Sequence, residues 1–194
     1  MVKLDAIQKR LIEEIADLHE VPSGSYNFRA NGELAGRNTT ANIDIVSKAD
    51  GSGIDIHIKP GTKNESVHIP VVLSASGLKE TVYNDFYIGE DCDVVIVAGC
   101  GIDNCGSQDS EHDGIHRFFV GKNAKVKYVE KHYGSGDGKG QRIPLLLFTS
   151  PLKTDPGCCP DRSPPVPSAD TLVWSDSRAG IPERQRCPNS APQF

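Results

Sequence analysis

Two thirteen-residue segments of this 194-residue chain, 87–99 (YIGEDCDVVIVAG) and 119–131 (FVGKNAKVKYVEK), align at an offset of 32. Their shared frame is aromatic, β-branched, Gly, charged, Asp/Asn, small, charged, Val. Gly89 and Gly121 are expected to supply a positive-φ turn ahead of each strand, with Asp91 and Asn123 completing it. A turn-then-strand unit repeated at a fixed step suits a β-solenoid, in which each coil buries its apolar row only by stacking on the next. A sandwich with two similar hairpins fits the same pattern.

The surrounding segments agree on a mainly β chain. One helix is expected over residues 3–19, where Leu4, Ile7, Leu11, Ile12, Ile15 and Leu18 recur at helical spacing opposite Lys9, Arg10, Glu13, Glu14 and Asp17. Val21-Pro22-Ser23-Gly24 stops it. From Asn42 the period becomes two, in 42–46 and 54–58, and further short β runs follow at 66–73, 80–88, 92–98, 115–120 and 125–131. No helical pattern separates them, which excludes a βαβ sheet.

A break in composition follows Ile143. Residues 1–143 hold 3 prolines and all 6 histidines, whereas 144–194 hold 10 prolines, 2 glycines and no histidine. The first part carries 16 − 21 = −5 charges and the second 5 − 5 = 0. Proline at that density removes backbone donors and forbids helix interiors and central strands. The chain therefore divides into an N-terminal helix (1–22), a β core (23–143) and a proline-rich tail (144–194). The tail reads either as a disordered extension or as sequence out of frame, which would also explain the switch from lysine to arginine. The acidic balance and the lack of a basic, aromatic-interleaved stripe argue against a nucleic-acid partner. No apolar run approaches the ~20 residues of a membrane-spanning helix. Asp5, Glu13 and Glu14 interrupt any leader, so a cytoplasmic location is expected.

The chemically richest stretch lies between the repeat copies: Cys100-Gly-Ile-Asp-Asn-Cys105-Gly-Ser-Gln-Asp-Ser-Glu-His112-Asp-Gly-Ile-His116. Its spacing, C-x4-C-x6-H-x3-H, offers two thiolates and two imidazoles to a tetrahedral zinc or to iron in a sulfur-rich site, with the glycines letting the backbone fold around the metal. The competing reading makes Cys100 a small buried hydrophobe, His112 part of a solvated acidic loop with Asp109, Glu111 and Asp113, and His116 an outward strand residue. Gly134-Ser-Gly-Asp-Gly-Lys-Gly-Gln lacks the frame of a phosphate-binding loop and is expected to be a flexible turn. Cys158 and Cys159, adjacent between prolines, build no site. Neither a Gly-x-Ser-x-Gly elbow nor a helical His-Glu-x-x-His occurs, and nothing pairs Glu111 or Asp113 with a substrate.

Several blocks in order carry a resemblance: Glu20-Val-Pro-Ser-Gly-Ser-Tyr-Asn-Phe-Arg, Ser66-Val-His-Ile-Pro-Val-Val, Tyr83-Asn-Asp-Phe-Tyr-Ile-Gly, Val97-Ala-Gly-Cys-Gly-Ile, Glu111-His-Asp-Gly-Ile-His and Val129-Glu-Lys-His-Tyr-Gly. Over residues 1–143 the chain resembles the SufB/SufD family, scaffold subunits of the SUF iron–sulfur cluster assembly system. The resemblance implies a right-handed parallel β-helix and a binding role rather than turnover. It also implies a SufC-type ABC ATPase and a second SufB/SufD-type subunit as partners, and an iron–sulfur cluster or bound transition metal as the associated inorganic group. It stops at Gln141-Arg-Ile, ahead of the part of the family that docks SufC and carries its cluster-building residues, so no established active residue is carried across. That favours a truncated or frameshifted tail. The alternative function is a stand-alone metal-binding protein or metal-dependent enzyme using Cys100, Cys105, His112 and His116.

Overall fold

The structure is a computed structural model that describes residues 4–149 and the strand 172–178. It opens with helix α1 (Ala6–Ala16), shorter than the apolar periodicity predicts because both ends are capped inside it. The Asp5 side chain accepts the Gln8 backbone N–H while the Gln8 side chain accepts the Asp5 N–H, a reciprocal capping box. At the other end Asp17 turns left-handed at φ 52°.

Eleven strands follow: β1 (Ser25–Ala30), β2 (Glu33–Asn38), β3 (Ile43–Ser47), β4 (Gly53–Ile58), β5 (Lys63–Leu73), β6 (Lys79–Ile88), β7 (Asp93–Asp103), β8 (Ser110–Val120), β9 (Lys125–Ser135), β10 (Arg142–Thr149) and β11 (Leu172–Arg178). They form two mixed sheets. Sheet A has the order β11-β9-β7-β5-β1-β2 and sheet B the order β10-β8-β6-β4-β3. From β4 onward the chain alternates between them, and from β5 onward every new pairing is parallel. The antiparallel pairs β1–β2 and β3–β4 lie at the N-terminal end of each sheet. The first of these hairpins turns on Asn31-Gly32, both at positive φ (50° and 82°), the geometry that matches the twist of two antiparallel strands.

The offset of 32 is the register of the later parallel pairs, β6–β8, β7–β9 and β8–β10. Asp93 pairs with Lys125, Lys79 with Glu111, and Ser110 with Arg142, each 32 residues on. The two repeat segments are thus successive rungs, with Tyr87 beside Phe119 and Val94 beside Val126. The composition break after Ile143 falls inside β10, and residues 144–149 keep the register of the preceding strand as far as Thr149 beside Arg117. The step then lengthens: Leu172 pairs with Val126, 46 residues earlier. The remainder of the proline-rich tail, 150–171 and 179–194, lies outside the described residues, as do Cys158 and Cys159.

The expected roles of the repeat glycines are exchanged. Asp91 and Asn123 adopt the left-handed conformation (φ 55° and 56°), whereas Gly89 and Gly121 are absent from the positive-φ residues. What those glycines provide is room. A Cβ on Gly121 would lie 2.5 Å from the Glu90 backbone nitrogen, and one on Gly89 would overlap the backbone of Pro60. Each of these turns packs directly on backbone about thirty residues earlier, with no gap for even a methyl group.

Apolar side chains from both sheets meet between them. Ile43, Ile56, Phe86 and Phe118 from sheet B pack with Val67, Val94, Ile96 and Tyr128 from sheet A. Phe86 and Phe118 stack at 4.5 Å on adjacent rungs. Helix α1 covers the outer surface of sheet A, burying Leu11, Ile12 and Ile15. It approaches closely because Gly99 and Gly101 face it: a Cβ on either would come within 3.0 Å of the Ile15 or Leu11 side chain. Gly101 therefore serves helix packing rather than wrapping a metal.

Replacing Gly121 by Ala is expected to destabilise the fold by about 2–4 kcal/mol, because backbone rather than a flexible side chain must yield. Asn123→Gly, two residues on, is expected to change stability by less than about 1 kcal/mol, since glycine accepts the same φ. Urea unfolding of both variants checks the exchange of roles; equal losses at the two positions would contradict it.

Candidate functional site: a buried polar network between the sheets

The polar block between the repeat copies is not an inserted loop. β7 runs on to Asp103 and β8 begins at Ser110, leaving only 104–109 as a turn. Within β8 the buried positions are Ser110, His112, Gly114, His116 and Phe118, so the inward row begins polar and ends aromatic. Strand β9 faces it with Val126, Tyr128, Glu130 and, half-buried, His132. The expectation that His112 lies in a solvated loop and His116 faces outward is overturned: they are 4% and 3% exposed. Alternation places both imidazoles in the interior.

These groups are joined into a chain of hydrogen bonds. Tyr128 donates its hydroxyl hydrogen to Glu130 Oε2 at 2.6 Å. Its oxygen lies 2.8 Å from His116 Nδ1, which therefore carries the ring hydrogen and donates to it. That leaves His116 Nε2 to accept from Asn84 Nδ2 at 3.1 Å. On the other side of Glu130, His132 Nε2 lies 3.5 Å from Oε1. The imidazole of His116 is thus satisfied at both nitrogens in its neutral form. Burial, and then the neighbouring imidazoles of His112 and His132, push its pKa down to about 3. Burial first, and then Glu130, raise the Tyr128 phenol well above its ordinary value.

A second group lies beside the first. Glu80 on β6 accepts Nη2 of Arg29 from β1 at 3.0 Å and Nδ1 of His112 at 3.0 Å. Burial pushes the Glu80 carboxyl up, but its bonds to His112 and Arg29 outweigh that and leave it below the usual carboxylate range. Cys100 occupies the inward position on β7 between Val71 and His132 in register. It is 1% exposed, and burial, then the charges of Glu130 and Glu80, hold its thiol well above the ordinary value. That is the setting of an inert protonated thiol rather than of a thiolate ligand.

Cys105 is apart from these groups. It is exposed in the turn after β7, where its thiol donates to Asp103 Oδ1 at 3.3 Å. Asp103 also accepts Arg10 Nη2 at 3.0 Å from α1 and Ser135 Oγ at 2.6 Å. So the structure gathers His112, His116 and Cys100 into the interior and leaves Cys105 outside. Among the described residues no group of three or more His, Cys, Asp and Glu side chains is arranged to hold a metal. The spacing C-x4-C-x6-H-x3-H maps onto strand, turn and strand, with Cys105 in the turn.

The residues that sequence reading missed are Arg29, Glu80, Asn84, Tyr128, Glu130 and His132. Three of them were visible as polar or titratable residues one register step from the block: Glu80 pairs with His112, Asn84 with His116, and His132 with Cys100. Gly134 and Ser135 complete β9, and the glycine-rich turn that follows, 136–141, is a crowded one. Gly136, Gly138 and Gly140 press on the backbone of 104–108, where any Cβ would overlap. The Arg142 guanidinium closes the stack by donating to the carbonyls of Asn104, Ser135, Gly136, Gly138 and Gly140.

Two measurements test the network. Tyr128→Phe removes the hydroxyl between His116 and Glu130 and is expected to cost about 1–3 kcal/mol, because a buried donor and a carboxylate lose their shared partner. The second is the pH dependence of stability. An unfolded imidazole titrates near 6.5 and the folded His116 near 3, so the unfolded chain binds the proton first. Stability is therefore complete above pH 6.5 and is lost as pH falls toward 3, at up to about 1.4 kcal/mol per pH unit. His68, lowered by burial, adds to the slope in the same direction. Between pH 6.5 and 4.5, above the carboxylate range, His116→Gln is expected to flatten the slope measured by urea unfolding. An unchanged slope would mean that His116 is not neutral and enclosed.

No protein-family model matches this chain, and neither a curated protein nor a solved structure matches it. The likeness to the SufB/SufD family rests on the sequence blocks alone.

Proposed function

We propose that this chain is a scaffold subunit of the SUF iron–sulfur assembly system, a binding component without turnover of its own, and that its two sheets are coils of a right-handed parallel β-helix. The observation that carries the reading is the placement of the sequence blocks. Tyr83–Ile88 ends β6, Val97–Ile102 lies on β7, Glu111–His116 on β8 and Val129–Tyr133 on β9. They occupy successive rungs held at a step of 32 residues for β6 to β8 and β7 to β9. A regular step between parallel neighbours is what the right-handed parallel β-helix implied by the SufB/SufD resemblance would give, and that supports the reading.

The cluster is cargo in this reading, and none of the interior residues is assigned to it. Cys100, His112 and His116 are committed to interior packing and hydrogen bonds, and Cys105 stands alone on the surface. The same geometry removes support from a metal-dependent enzyme built on those four residues. A scaffold of this kind works in the cytoplasm with a SufC-type ATPase and a second SufB/SufD-type subunit. The proline-rich tail then stands where such proteins carry their ATPase-docking region.

Co-expression with a SufC-type ATPase and a SufB/SufD-type subunit, followed by anaerobic purification on a tag carried by this chain, tests the proposal. The expected result is recovery of the second β-helical subunit in stoichiometric amount, with iron and sulfide in the complex after reconstitution. Recovery of the tagged chain alone, while the other two subunits assemble without it, would overturn the role.

A further inference from the structure

The two sheets differ in what covers their outer surfaces. Helix α1 lies on sheet A, against β5, β7 and β9, whereas among the described residues no helix lies on sheet B. Yet sheet B presents apolar side chains outward. Of the eight large hydrophobic residues most exposed among the described residues, Val46, Tyr83, Tyr87, Leu145 and Leu147 all belong to its outward rows. Part of this surface forms one group. Parallel register sets Tyr83 beside Ile115 and then Leu147, with Leu145 two residues before Leu147 on the same strand.

Charge on this face is not balanced. Its cations are Lys48, Lys79 and Arg117, and its carboxylates are Asp44, Asp55, Asp85, Glu111 and Asp113. Lys48 pairs with Asp55 and Asp85, Arg117 with Asp85, and Lys79 with Glu111 at 3.1 Å. No lysine or arginine among the described residues pairs with Asp44 or Asp113, so the face is left acidic. Asp113 stands inside the apolar group, in register with Leu145 and two residues before Ile115. Its Oδ2 accepts only the Thr81 hydroxyl, at 3.4 Å, and its Oδ1 is buried with no hydrogen-bond partner among the described residues. An apolar surface settling on Tyr83, Leu145 and Leu147 would enclose this carboxylate, and an unpaired buried charge opposes that burial. The face therefore selects an occupant that brings a cation together with its apolar side chains.

The form of the occupant follows from backbone accounting. A strand laid flat on these side chains would leave its own N–H and C=O groups unmet, whereas a helix satisfies its own. The column Tyr83, Ile115, Leu147 crosses three strands, about 10 Å at about 4.8 Å per strand. Two helical turns rise about 11 Å, so apolar residues at i, i+3 or i+4, and i+7 match the column. We propose that the outer face of sheet B over β6, β8 and β10 docks a cationic amphipathic helix of another protein. Its apolar stripe rests on Tyr83, Ile115, Leu145 and Leu147, and a lysine or arginine of that helix pairs with Asp113. Sheet B thereby receives from a partner the kind of cover that α1 gives sheet A, and the net charge of −5 favours the encounter. The docking is independent of the scaffold role.

A labelled peptide of about eighteen residues, with leucine at i, i+3, i+4 and i+7 and lysine elsewhere, tests this by fluorescence anisotropy against the full chain at about 150 mM salt. Two further peptides carry glutamine or glutamate in place of lysine. Asp113→Asn removes the carboxylate and Leu147→Ser an apolar contact, while Glu13→Gln and Val21→Ser, exposed and away from sheet B, serve as controls. The expected result is saturable binding of the lysine peptide with Kd on the order of 10 μM, weakened about fivefold or more by each face variant and not by the controls. Asp113→Asn is expected not to weaken binding of the glutamine peptide, whereas a variant that unfolded would lose both peptides. Equal weakening of the two peptides by Asp113→Asn would overturn the assigned ion pair. Absence of saturation at about 200 μM, twentyfold above that Kd, or equal binding of the glutamate peptide would overturn the proposal. So would a Kd indifferent to both face variants, the result expected if the peptide follows net charge alone.

Discussion

From β4 to β8 each strand pairs in parallel with one about thirty residues further along, and the turns between strands allow almost no freedom in how the chain gets there. At Gly121 the backbone passes so close to Glu90 that a methyl group has no place, and Gly89 stands in the same relation to Pro60. The next residues but one, Asp91 and Asn123, supply the left-handed turn. Once those corners are fixed, the register of β6 on β8 and β7 on β9 is fixed with them, and so is the set of side chains that faces inward. The composition of the interior follows from a backbone constraint at its rim.

That interior is not uniformly apolar. Arg29, Glu80 and His112 form one buried group, and Asn84, His116, Tyr128, Glu130 and His132 another, beside a core of Ile, Val and Phe side chains. Enclosing such groups is favourable only when the donors and acceptors match, and from Asn84 to Glu130 they match with direction. Asn84 donates to His116, His116 to Tyr128, and Tyr128 to Glu130. The network therefore selects one tautomer of one histidine and one rotamer of one tyrosine. It contributes uniqueness of packing more than net stability.

Much of the architecture was legible in the sequence because period-two alternation and the offset of 32 are backbone-level signals. The apolar rows 42–46, 54–58 and 92–98 appear where they were read, and the helix differs only at its capped ends. The hairpin β1–β2 was missed although Asn31-Gly32 carries the chemistry of a tight turn, because its strands hold Asn27, Arg29 and Arg37 in place of an alternating apolar row. The block 100–116 failed for a related reason. Its alternation is intact, but the inward positions are occupied by Ser110, His112, Gly114 and His116, so a reading that equates inward with apolar inverts the strand. Cys100 and His112 face one interior from opposite sheets, information that linear spacing does not contain. The C-x4-C-x6-H-x3-H spacing falls on two strands and the turn between them.

The step of about thirty residues also sets the order in which the chain can be assembled. From β6 to β10 no strand waits for a partner later in the sequence, since each docks on one made a single coil earlier. Within these coils a nascent chain leaving the ribosome needs only the latest thirty or so residues to complete the next pairing, and the finished edge is the template for the strand synthesised after it. The local hairpins β1–β2 and β3–β4 come first and α1 is already available to cover sheet A. Vectorial growth of this kind keeps the searched loop short at every stage. Arg142 marks a checkpoint in it: the turns 104–109 and 135–141 acquire their shared cation only when that residue has been synthesised.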